Sequence, residues 1–115
     1  MRRVVISVIH GRLRDRREAL KLALDTNLSE LAAVRPTEDD FSHHELVMGT
    51  SASLVEEEGR ELGHVEDAIG RIKRGSYGIC QDCGKQISAA RLVALPHASR
   101  CIHCQRKAER NLVLV

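Results

Sequence analysis

The chain has four cysteines, set as two C-x2-C pairs, Cys80/Cys83 and Cys101/Cys104, with 17 residues between the pairs. That pattern constrains the fold more than any other feature. Four thiolates at this spacing can close a tetrahedral site around Zn²⁺. Two disulfides in a secreted domain are the competing reading. The longest apolar stretch near the N-terminus, Val4 to Ile9, is broken by Ser7 and lacks the length and cleavage site of a secretory signal. It is also far too short to cross a membrane. The expected compartment is therefore a thiol-reducing, bacterial-type cytoplasm. A redox CxxC is a further alternative, but two matched pairs favour a closed structural site. His97 and His103 lie near the second pair, yet four cysteines already satisfy the metal.

Such a site has no open coordination position, so its metal cannot activate water. No Ser/His/Asp-type set stands out elsewhere, and the chain is read as a non-enzyme. Aromatics are 2% of the 115 residues, too few for a conventional ring-filled core or for a sheet that stacks bases. One zinc per chain also alters the charge. Four thiolates subtract four charges and the ion restores two, so the formal +2 becomes zero. No strongly basic character remains to suggest direct, sequence-specific DNA contact.

Charge is segregated along the chain. Residues 1–35 hold eight Lys/Arg against four Asp/Glu, residues 36–70 one against ten, and residues 71–115 nine against two. Leu13, Leu20, Leu24, Leu28 and Leu31 recur at helical intervals and predict a helix over about 13–34, stopped by Pro36. Pro36–Ser42 reads as a polar turn. Met48, Val55, Leu62, Val65, Ile69 and Ile72 form a heptad seam with gaps and predict a second helix over about 44–74. The pair reads as an antiparallel coiled-coil hairpin over 13–74, with its tip near 36–43. A C4 zinc finger with a short C-terminal helix follows over 75–110, and an apolar tail over 111–115. Residues 1–12 receive no assignment. The fold class is thus mainly α. Within the finger, Ile79, Ile87, Leu92, Leu95 and Ile102 are expected to form a miniature core that depends on metal for stability.

The run Tyr77-Gly78-Ile79-Cys80-x-x-Cys83-Gly84-x-x-Ile87, then Arg91-Leu92-x-Ala94-Leu95-Pro96, then Cys101-Ile102-x-Cys104, resembles the DksA/TraR C4-type zinc-finger family. The resemblance implies a long antiparallel coiled coil carrying a zinc finger. It implies direct binding to bacterial RNA polymerase, with the coiled coil entering the secondary channel and its tip approaching the catalytic centre to modulate initiation. On that reading the tip residues are Glu38, Asp39, Asp40, Phe41 and Ser42. Regulatory members often carry D-x-x-D-x-A there. Asp40 fills the second acidic position, while Thr37 and Ser42 depart from the first acid and the alanine. Some members act with guanosine tetraphosphate. Leu95 stands where some of those carry a basic residue, which argues against that response here. Two other functions compete: a zinc-ribbon adaptor for another protein, and a finger whose basic face contacts nucleic-acid phosphates.

Overall fold

A computed structural model describes residues 3–33 and 41–113. Four helices follow in chain order: α1 Arg3–Ala33, α2 Phe41–Arg74, α3 Ala89–Ala94 and α4 Ile102–Val113. α1 and α2 form the antiparallel hairpin, and the finger with α3 and α4 completes a mainly α fold. Among the described residues the one β feature is an isolated antiparallel bridge between Ile79 and Gln86. The chain divides into two compact units, residues 1–15 with 64–115, and residues 16–63.

In the 16–63 unit, α1 and α2 are joined by polar as well as apolar side chains. Leu20 is buried, and Ala23, Leu24, Leu31, Val55 and Leu62 are half-buried. The seam includes two polar positions. Half-buried Asn27 donates its amide to both carboxylate oxygens of half-buried Glu58, at 3.0 and 2.9 Å. Arg16 makes a two-point ion pair with Glu61, one arm being Nη2 to Oε1 at 2.9 Å. Partners fall on α2, from 61 to 58, as they rise on α1, from 16 to 27, which is antiparallel order. Leu28, expected in the apolar stripe, is 51% exposed. Asn27 takes the inward position, and Leu28 lies one residue further, about 100° around the helix. Arg17 is also half-buried, and its Nε is buried with no hydrogen-bond partner among the described residues.

The unit of residues 1–15 and 64–115 contains most of the core. Ile9, Leu13, Val65, Ala68, Ile69, Tyr77, Ile87, Leu92 and Ala98 are buried there. α1 starts well before the expected Leu13. Residues 3–12 are rich in Val and Ile, which form helices weakly. Burial of Ile9, one turn before Leu13, supplies what local propensity lacks.

α2 stops at a Schellman motif. The Ser76 amide donates to the Arg71 carbonyl at 2.9 Å and the Gly75 amide to that of Ile72 at 3.2 Å. Gly75 has φ +77°, which a Cβ would strain. Arg71, Lys73 and Arg74 in the last turn face the negative end of the helix dipole. α3 was not evident from periodicity because it is six residues long. Its signal was Ser88, an N-cap whose hydroxyl accepts from the Arg91 amide at 3.2 Å. α4 runs through Asn111 to Val113, past the end expected at residue 110. No described helix is long and apolar enough to cross a membrane.

Candidate metal centre

Two short turns bring the cysteines together. After Tyr77 the chain passes through Gly78, at φ +84°, into the Ile79–Gln86 bridge. The Cys80 amide donates to the Lys85 carbonyl at 2.8 Å, and the Gly84 amide to the Cys80 carbonyl at 3.0 Å. Gly84 adopts φ +75°, so the turn that carries Cys83 back toward Cys80 requires a residue without a Cβ. The second pair sits at the start of α4. Cys101 directly precedes the helix and Cys104 lies in its first turn, one turn from Cys101.

Two polar links lock the two pairs against each other, and a third ties α3 to the second. The Gln81 amide donates to the Ser99 carbonyl at 2.9 Å. Arg100 Nε donates to Asp82 Oδ2 at 2.7 Å, and Arg91 Nε to the Arg100 carbonyl at 3.0 Å. Asp82 lies inside the first pair and Arg100 immediately before the second, so this ion pair spans the site. Sequence reasoning missed it, although both residues stand next to cysteines.

All four sulfurs lie within 4.8 Å of one another, and Cys83 Sγ is 3.8 Å from Cys101 Sγ. A tetrahedron with Zn–S bonds of about 2.3 Å has S–S edges of about 3.8 Å. The cluster therefore fits a four-thiolate zinc site. Its electrostatics agree. Burial opposes ionisation of Cys80, but backbone N–H groups of Cys101, Cys83 and Asp82 outweigh it and bring the thiol down to about 6. Hydrogen bonding to Cys101, then burial and the Cys80 and Cys83 side chains, pushes Cys104 up to about 12. Amide donors thus favour the first thiolate, and the crowding that follows makes the last one require a cation. His103 is exposed, and the His97 ring stacks on His64 with centroids 5.8 Å apart. Neither belongs to the sulfur cluster.

The miniature core differs from expectation. Ile87 and Leu92 are buried, but Ile79, Leu95 and Ile102 are exposed. Tyr77 and Ala98 take their places. Tyr77 is anchored by donating its hydroxyl to the Pro96 carbonyl at 2.7 Å. Arg71 reaches toward the same turn, 3.4 Å from the carbonyls of both His97 and Ala98. Of the tip residues, Glu38, Asp39 and Asp40 lie outside the described residues. Phe41 and Ser42 open α2, and their side chains, like that of Met48, also lie outside them.

Comparison with known proteins agrees with this geometry. A profile of the prokaryotic dksA/traR C4-type zinc finger matches residues 75–110. The chain is 36% identical over 50 residues to the RNA polymerase-binding transcription factor DksA of Caulobacter vibrioides, covering 44% of this chain and 35% of the relative. It is 27% identical over 84 residues to the protein of that name from Escherichia coli, covering 73% of this chain and 56% of the relative. The chain thus spans about a third to a half of the curated relatives it matches. The structure of transcription factor DksA2 from Pseudomonas aeruginosa superposes with a TM-score of 0.84 at 28% identity, covering 96% of this chain and 88% of that one. The finger holds one structural zinc ion per chain. With the finger profile and the four-sulfur cluster in agreement, residues 75–110 form a zinc finger of the DksA/TraR C4 type, on a chain whose fold is similar to that of DksA2.

Proposed function

We propose that this chain is a non-enzymatic, cytoplasmic regulator of transcription that binds bacterial RNA polymerase, with the α1–α2 hairpin entering the secondary channel. The carrying observation is the likeness to DksA2 over 96% of the chain, which extends through the hairpin beyond the finger. The named relatives are RNA polymerase-binding factors, and the chain's own features suit such a role. Residues 36–70 hold ten acidic residues against one basic. Four of those acids, Glu38, Asp39, Asp40 and Glu45, stand within residues 36–45 with no Lys or Arg, and an acidic tip is compatible with a cation-rich catalytic centre, whereas it would repel nucleic-acid phosphates. Direct, sequence-specific DNA contact is not part of the reading.

In this reading Cys80, Cys83, Cys101 and Cys104 are the zinc ligands, and the zinc is structural. Asp40 is the acting tip residue, flanked by Glu38, Asp39, Phe41 and Ser42. Leu95 lies on the surface and is apolar, so no guanosine tetraphosphate response is proposed. The test pairs polymerase binding with transcription in vitro from a ribosomal-type promoter. Asp40→Ala should leave affinity within a few-fold and remove most of the effect on initiation. Loss of binding would make the tip an affinity element. Binding to some other protein, with none to polymerase, would replace this reading with the adaptor.

A further inference from the structure

The four sulfurs are unequally accessible. Cys80 is 2% exposed, Cys101 and Cys104 are half-buried, and Cys83 is exposed. A cavity of about 360 Å³ opens beside the cluster and touches two of the four, Cys83 and Cys104. Its remaining walls are Asp82, Lys107, Ala108 and Asn111. Lys107 and Asn111 are both exposed on α4, four residues apart and hence on one helix face. The mouth thus offers an ammonium and an amide on one wall, and the Asp82 carboxylate is already engaged by Arg100.

We infer that the finger exchanges its zinc through this one face, and that the cavity seats a small anionic metal-binding donor, a carboxylate or thiolate compound, against Lys107 and Asn111. An incoming donor displaces the Cys83 thiolate, which takes up a proton from water. Cys104 follows on the same face. Cys80, sealed among backbone amide donors, is released last. The finger is then a zinc site with a defined order of opening, and its lability is set by the cavity wall as well as by the ligands. The inference rests on the four-cysteine ligand set proposed above.

The test uses the zinc-loaded full chain. Limited N-ethylmaleimide, followed by peptide mapping, should place the first label on Cys83. A first label on any other cysteine, or four labels with no order, would overturn the inference. The second measurement is the rate of zinc transfer to EDTA, an anion, and to 1,10-phenanthroline, which is neutral. Lys107→Gln should slow transfer to EDTA about fivefold at low salt, the size of one close charge interaction in water. It should leave transfer to phenanthroline unchanged, and Lys107→Arg should restore the EDTA rate. Asn111→Trp, which fills the mouth, should slow both. Unchanged EDTA rates in both Lys107→Gln and Asn111→Trp would also overturn it. Failure of the ligand set has a different signature: zinc content that stays at one per chain after a Cys→Ser change. The labelling order and the Lys107 effect speak only to the exchange face.

Discussion

Tyr77 fastens the start of the finger to the turn at Pro96 through one hydroxyl, and its environment ties that joint to pH. Burial pushes its pKa up to about 12, against the opposing pull of Arg71 and Arg12. The unfolded phenol ionises near 10, so the folded state holds the proton more tightly. This contribution to stability is complete below about pH 10 and is lost as pH rises toward about 12, with a limit of about 2–3 kcal/mol. Tyr77→Phe should therefore be less stable than wild type at neutral pH, by about 1 kcal/mol for the lost hydrogen bond. The gap should close or reverse in denaturant titrations near pH 11. A gap independent of pH would show that Tyr77 is not held as described. At the metal, Cys83→Ser should release zinc and unfold the finger while most helical circular dichroism remains, because small metal-dependent cores do not persist without their ion. Full zinc occupancy with an intact finger would contradict the closed four-cysteine site. The grouping of the four cysteines was legible as residue type and spacing. The Asp82–Arg100 ion pair and the Tyr77–Pro96 hydrogen bond were not, since neither pairing leaves a periodic trace in the sequence.

The hairpin helices combine a well-buried end with a polar stretch. Leu13 is 2% exposed and Val65 is fully buried, whereas Leu62 is half-buried. Leu13→Ala should cost about 2–5 kcal/mol in thermal or urea melts, and Leu62→Ala clearly less. Equal losses would mean the seam is misplaced. The gap in the apolar heptad between Val55 and Leu62 is occupied by Glu58, which meets Asn27. Asn27→Ala strands that carboxylate and should cost about 1–3 kcal/mol, while replacing both residues by Leu should be near neutral or stabilising. Gly59 and Gly63 sit inside α2, and a Cβ at either would meet nothing within 4 Å. Each Gly→Ala should raise stability by up to about 1 kcal/mol. The two long helices were legible because periodicity is strong over many turns. Their inward polar positions and the early start of α1 were not, since Asn27, Glu58 and Val/Ile-rich residues 3–12 join the helices through tertiary partners rather than local preference. A six-residue element such as α3 is too short to show a period.

At the level of the molecule, the chain carries a zinc finger and a hairpin whose second helix belongs to its acidic segment. Zinc binding with loss of four thiol protons takes the formal charge from +2 to zero. The most direct test of the central claim is binding of the zinc-loaded chain to core RNA polymerase with its secondary channel open or blocked. Saturable binding to the open enzyme, lost when the channel is blocked, is the expected result. Binding that persists unchanged with the channel blocked, or no binding to either form, would contradict the account.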